Sequence, residues 1–265
     1  MSRLDKLVSL LSLLRTSPLE FRDRLAMLLA VRVEARLGRH RGPVPDDPGA
    51  ALAGLDGAWG RPVSRFLGEA ELAGFSNEIR QRALDLGEEA VIATAHNADP
   101  ALARFCYAAC RALEPDVVVE TGVAYGVTSA FVLEALRVNG RGTLHSIDLP
   151  PLGADAGRLV GAVIPDELRS RWRLHRGVSR RLLRPLVNGL GSVDMFVHDS
   201  LHTYRNMKEE LDAVTPRLAR PSLVIADDIG GNAAFERWSD AVDPAFRCML
   251  REEGKDALFG VALLL

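Results

Sequence analysis

The stretch that most constrains this chain is Asp116-Val-Val-Val-Glu120-Thr-Gly122-Val-Ala-Tyr-Gly126, followed by a helical run from Val127 to Leu136. Three consecutive valines suit a central strand of a parallel sheet covered by helices on both faces. Gly122 and Gly126 fall where the chain leaves that strand, and a missing side chain lets backbone approach a ligand closely. Glu120 stands at the strand's carboxyl end, where open α/β sheets place their binding crevice, and the free amides opening the next helix favour an anion. Asp148 follows Gly126 by 22 residues (148 − 126) and ends a second apolar run that begins at Thr143. An acid there can accept hydrogen bonds from both ribose hydroxyls of an adenosine, so the pair reads as a nucleoside-cofactor site.

The rest of the chain fits the same architecture. Strands are expected at Trp172 to Arg176, Asp194 to Val197, Leu223 to Ala226, Phe246 to Leu250 and Leu258 to Leu265, with helices at Ser179 to Leu190 and Tyr204 to about Thr215. Alternating strands and helices mean a doubly wound, mostly parallel, Rossmann-like α/β sheet. A further helix is expected from Pro100 to Leu113, with Asp99 as its cap and Pro115 closing it.

Ahead of this lies an expected helical extension, residues 1–90, with residues 91–265 forming the main domain. Leu4, Leu7, Val8, Leu11 and Leu14 share one helical stripe, and Ser17-Pro18 separates it from a second helix, about Leu19 to Leu37. Arg3, Asp5, Lys6 and Arg15 interrupt the leucines, so a helix is expected rather than a secretory leader. The segment is rich in arginine, but Glu20, Asp23 and Glu34 dilute its positive face, which disfavours a membrane-surface helix. The pair is expected to pack on the main domain, as a lid or otherwise, or to build a homo-oligomer. Gly38 to Gly60, with Pro43, Pro45 and Pro48, reads as a linker, and a helix follows at about Asn77 to Leu86.

Composition excludes some classes. The chain has 265 residues and a formal charge of −2, which argues against a general nucleic-acid binder. No apolar run approaches the roughly 20 residues needed to span a bilayer. Cys106, Cys110 and Cys248 complete no zinc pattern and read as buried thiols in a reducing cytoplasm.

A second constellation carries chemistry. Asp199 follows one expected strand and Asp227-Asp228 another, so three carboxylates should emerge at the sheet edge that carries Glu120 and Asp148. Crowded carboxylates repel unless neutralised, and hard oxygen ligands suit magnesium or another divalent cation. Capping of the following helices is the competing reading.

Glu120-x-Gly122-x-x-x-Gly126 resembles the first motif of the class I S-adenosylmethionine-dependent methyltransferases, whereas the Gly-x-Gly-x-x-Gly of a nicotinamide-dependent oxidoreductase is absent. The resemblance implies that Glu120 holds the methionine ammonium, Gly122 and Gly126 accommodate the cofactor and Asp148 binds ribose. Tyr125 and Thr128 flank the same turn as further cofactor contacts. The 28 residues from Asp199 to Asp227 (227 − 199) resemble the metal-ligand spacing of catechol-type O-methyltransferases, and His202 stands where that group carries its general base. Asp199-Ser-Leu-His202-Thr-Tyr204 resembles the Asp-Gly-Asp-His-Ser-Tyr signature of a bacterial family related to macrolide-sugar O-methyltransferases. Gly177-Val178-Ser179 resembles the adenine-contacting loop, which adds Val178 and Ser179, with Asp199, to the cofactor site.

The resemblance covers roughly Ala101 to Leu265. It implies a seven-stranded sheet with an antiparallel last strand, a metal site at Asp199, Asp227 and Asp228, and His202 as catalytic base. Ser200, Leu201 and Arg220-Pro221-Ser222 depart from its pattern. The expected activity is methyl transfer to a hydroxyl of a small molecule, a sugar of a glycosylated natural product such as an antibiotic, with a catechol or other phenol, or a non-catalytic cofactor-binding scaffold, as alternatives. Seven arginines between Leu168 and Arg184 are expected to form a basic edge that could attract an acidic or phosphorylated substrate.

Overall fold

In the computed structural model, which describes residues 3–37, 42–86, 100–150, 152, 156–253 and 256–265, the valine run becomes β1 (Val117–Thr121) at the centre of a seven-stranded sheet. The other strands are β2 (Thr143–Asp148), β3 (Trp172–Arg176), β4 (Val193–His198), β5 (Leu218–Ala226), β6 (Phe246–Arg251) and β7 (Leu258–Leu264), in the order β3-β2-β1-β4-β5-β7-β6. The first five pair in parallel, and β7 runs antiparallel to both β5 and β6. The strand order reverses beside β1, which makes a crevice at the carboxyl ends of β1 and β4.

The helices are α1 (Arg3–Thr16), α2 (Pro18–Leu37), α3 (Pro48–Trp59), α4 (Val63–Leu67), α5 (Ala70–Asp85), α6 (Pro100–Leu113), α7 (Val127–Asn139), α8 (Ala156–Leu159), α9 (Ser179–Leu190), α10 (Tyr204–Val214) and α11 (Ala234–Val242). Alternate strand residues face opposite layers. Val118, Val197 and Ile225 pack with α6, α7 and the α3–α5 segment, which contributes Ala51, Leu55, Val63, Leu72 and Ile79. Val119, Phe196 and Val224 pack with Leu183 and Val187 of α9, Met207 and Leu211 of α10, and Phe235 and Trp238 of α11.

The expected linker is the main departure. Residues 48–59 are helical because Asp47 caps the amide of Ala50 at 2.9 Å, Pro48 occupies the first turn and Gly60 ends the helix at φ 71°. This is the Asp-Pro start signal read at Asp99-Pro100, which at Asp47-Pro48 was outweighed by the surrounding glycines and prolines. The Asp99 cap and the start of the expected linker, residues 38–41, lie outside the described residues. Helices α4 and α8, of 5 and 4 residues, are too short to carry a periodic signature, whereas α11 buries Ala234, Phe235 and Trp238 on one face and was not expected.

The α1 stripe is not covered: Leu7, Val8, Leu11 and Leu14 are all exposed. Among the described residues, no helix is long and apolar enough to cross a membrane. All three cysteines are free thiols and buried.

Candidate functional site

The site is built by extending the strand ladder one residue past each strand. The amide of Gly122 donates to the Ile147 carbonyl at 2.9 Å, that of Asp199 to Thr121 at 2.8 Å, and that of Asp227 to His198 at 2.8 Å. Four neighbouring strands therefore deliver Asp148, Gly122, Asp199 and Asp227 to one edge. They open into a cleft of about 1260 Å³.

Of the residues expected at the site, Gly122, Tyr125, Asp148, Val178, Ser179, Asp199, His202, Asp227 and Asp228 line this cleft. Asp148 accepts from the Val123 amide at 3.2 Å, which fixes it beside the turn after β1. Burial pushes its carboxyl above the usual range, against the pull of hydrogen bonds from the Val123 and Ala124 backbone.

Glu120, Gly126 and Thr128 do not line the cleft. The Glu120 side chain is fully buried and accepts from Ser129 at 2.6 Å and Ser146 at 2.7 Å. Burial pushes its pKa up to about 7, the two hydroxyls opposing. Its role here is to tie α7 and β2 to β1. Gly126, at φ 89°, packs closely on protein, since a Cβ there would lie 2.8 Å from the Gly161 Cα. Thr128 is buried, and its hydroxyl lacks a hydrogen-bond partner.

At the other end of the cleft, Asp199, His202 and Asp227 each offer one ligand atom, all within 4.8 Å of one another. The His202 Nε2 lies 3.9 Å from an Asp199 oxygen and 3.8 Å from an Asp227 oxygen. Those separations are too long for hydrogen bonds and suit donors that share a cation with bonds of roughly 2.0–2.6 Å. Asp227 is buried, with one carboxylate oxygen lacking any partner. The two carboxylates fit a divalent cation, with the imidazole nitrogen beside them. Asp228 stands outside this trio, in the left-handed region at φ 47°. Burial lowers the pKa of His202, the His198 charge adds to that, and Asp227, Asp228 and Glu210 oppose it. Its imidazole is thus neutral at neutral pH and can accept a proton or a metal.

His198, the last residue of β4, is fully buried behind the cleft wall. Its ring packs edge-on against His202, with centroids 5.6 Å apart, and its Nδ1 bonds Glu210 at 2.6 Å. Sequence reading missed Glu210. A signal existed, since position 210 falls on the same helical stripe as the buried Met207, Leu211 and Val214. An acid on an apolar stripe calls for an explanation.

Of the places open to the N-terminal helices, on the main domain or in an oligomer, α2 lies on the main domain and over the cleft. Met27, Ala30 and Val33 of that helix roof the cleft. Arg24 donates to the Pro150 carbonyl at 2.7 Å, Asp23 pairs with Arg181 at 2.7 Å, and Glu34 accepts from the Tyr204 amide at 2.8 Å. The expected basic edge is largely spent internally. Arg169, Arg171, Arg173 and Arg176 donate to backbone carbonyls, and Arg180 and Arg181 pair with Glu209 and Asp23.

Residues 119–229 match the family model described as a methyltransferase domain. Among solved structures, an O-methyltransferase from Bacillus cereus in complex with SAH is similar at 10% identity and TM-score 0.58, covering 71% of this chain and 91% of that one. The O-methyltransferase TomG from Streptomyces achromogenes, involved in tomaymycin synthesis and bound to SAM, is similar at 14% identity and TM-score 0.52, covering 74% and 90%. A methyltransferase from Geobacter sulfurreducens reaches 19% identity and TM-score 0.53, covering 84% and 99%. No curated protein sequence matches this one. The sheet order, the antiparallel β7 and the matched domain bear out the expected class I methyltransferase fold.

Proposed function

Proceeding from a methyltransferase domain in the class I fold, we propose that this chain is a divalent-metal-assisted O-methyltransferase that uses S-adenosylmethionine. The acceptor is a hydroxyl of a small molecule, and a sugar of a glycosylated natural product is the reading the Asp199 to Tyr204 signature favours. TomG's part in tomaymycin synthesis is a fold-level parallel to natural-product chemistry. The observation that carries the proposal is the Asp199, His202 and Asp227 trio, which shares one cleft with Asp148, Val178 and Ser179. A cleft of about 1260 Å³ exceeds the roughly 300–1,000 Å³ of a single-ligand pocket, so cofactor and acceptor fit together.

In this reading Asp148 receives the ribose hydroxyls, while Val178 and Ser179 border the adenine. Tyr125 closes the methionine end and Gly122 keeps the backbone low beneath it. Glu120, Gly126 and Thr128 act behind the cleft wall by shaping the turn. Asp199 and Asp227 would hold the cation, magnesium or a similar ion, with Asp228 as a further carboxylate at the same edge. The cofactor would supply the methyl group, and a cation held there would lower the pKa of the acceptor hydroxyl. His202, neutral and facing both carboxylates, takes the hydroxyl proton on Nε2. The apolar face of α2 excludes water from the transfer. The exposed α1 stripe is the surface through which the chain would form a homo-oligomer, and the buried free thiols fit a reducing, cytoplasmic compartment.

The testing experiment is calorimetry. S-adenosylhomocysteine should bind at micromolar level, and magnesium should release binding heat in the wild type and none in Asp227→Ala. No cofactor binding overturns the reading, and cofactor binding without a magnesium signal leaves a transferase whose carboxylates are structural.

A further inference from the structure

The most heavily bonded carboxylate near the cleft belongs to a residue with no part in the proposed reaction. Glu210 is 1% exposed. One oxygen accepts from the Thr121 hydroxyl at 2.5 Å and meets the His198 Nδ1 at 2.6 Å. The other accepts from the Ser200 hydroxyl at 2.8 Å and the Asn206 amide at 2.9 Å.

A carboxylate in such a place costs free energy unless fully bonded, and breaking its set leaves a buried charge uncompensated. Packing alone would be served by a leucine, as at the neighbouring Leu211. The four donors belong to the ends of β1 and β4, to the loop carrying Asp199 and His202, and to the first turn of α10. These four segments converge on the cleft.

Two short chains of contact lead from Glu210 to the reactive groups. Thr121 binds Glu210 through its hydroxyl and the Asp199 amide through its carbonyl, the latter at 2.8 Å. His198 bonds Glu210 on one side, while its ring supports the His202 ring edge-on. Ser200, which replaces a glycine of the resembled signature, donates to Glu210 and accepts from Asn206 at 3.0 Å. The departure supplies a bond that glycine could not make.

We propose that Glu210 is the positioning residue of this site, fixing the loop of residues 199–203 from below so that Asp199 and His202 face Asp227. The proposal rests on the methyltransferase reading for its chemistry, and its structural part is tested separately. In Glu210→Gln, hydrogen–deuterium exchange should quicken at least tenfold across residues 199–203 while the amides of β4 and β5 keep wild-type protection. Manganese affinity, read by electron paramagnetic resonance, should fall at least tenfold, and Glu210→Asp should recover part of both. A folded Glu210→Gln with unchanged loop exchange and unchanged manganese affinity overturns the proposal, as does a Glu210→Leu variant that keeps both. If Glu210→Gln fails to fold, Ser200→Ala removes one donor and should show the same loop exchange in smaller degree. A wild type that binds neither S-adenosylhomocysteine nor manganese overturns the methyltransferase reading, and the exchange data still decide whether Glu210 orders the loop.

Discussion

A Cβ at Gly122 would lie 1.8 Å from the carbonyl oxygen of Asp199. The loops after β1 and β4 therefore touch backbone to backbone, and this contact sets how close the Gly122 turn comes to Asp199, His202 and Asp227. Gly122 also holds φ 85°, so an L side chain there would be strained even with space. Gly122→Ala should cost roughly 1–3 kcal/mol through overpacking and weaken S-adenosylhomocysteine binding at least tenfold. Differential scanning fluorimetry and calorimetry read the two effects, and an unchanged affinity would mean that the loops part without cost.

Base and ligand roles for His202 separate cleanly. His202→Ala should reduce methyl transfer to a hydroxyl acceptor by about 10²–10⁴-fold and leave manganese affinity within about threefold, whereas Asp227→Asn should abolish manganese binding. Loss of manganese binding in His202→Ala would make the imidazole a ligand and remove it as the base.

Glu120 carries a pH signature. Its folded pKa of about 7 lies above the unfolded value of 4.5, so the folded state binds the extra proton. The stability this contributes is complete below pH 4.5 and disappears as pH rises to about 7. Glu120→Gln keeps the Ser129 and Ser146 bonds without that titration. Its melting temperature should exceed that of the wild type at pH 8 and match it at pH 5. Parallel melting curves at both values would mean that the carboxyl is ionised throughout.

The paired rings of His145 and His175, stacked 5.5 Å apart, act at a lower pH. Burial holds both below the usual imidazole range, with the His175 charge and Arg173 adding to the effect on His145. Protons then favour the unfolded chain, so stability should fall as pH drops below about 6.5. His145→Asn should flatten that part of the pH–stability curve, as measured by urea titration.

The roof and the stripe make separate predictions. Arg24→Ala removes the bond to Pro150 and should raise the S-adenosylhomocysteine dissociation rate three- to tenfold in stopped flow, with little change in melting temperature. Leu11→Lys on the exposed α1 stripe should convert an oligomer into a monomer in light scattering without changing cofactor affinity. A monomeric wild type would dispose of the interface.

Local pattern was enough for the parallel sheet, since unbroken valine runs and period-two burial are written residue by residue. Strands β3 and β7 and helix α9 lie where periodicity predicts them, and Asp148, Asp199 and Asp227 reach one edge because they follow neighbouring strands. Three outcomes needed the tertiary structure. Glu120 turned inward, because a residue one step before the strand's end still alternates into a covered layer and finds Ser129 and Ser146 there. Helix α2 became the roof because Arg24, Asp23 and Glu34 meet partners at positions 150, 181 and 204, separations over which no local pattern extends. Glu210 gained its place because the Thr121 hydroxyl, 89 positions away, meets the nearer His198, Ser200 and Asn206 on one buried carboxylate, and only the packed sheet brings β1 there.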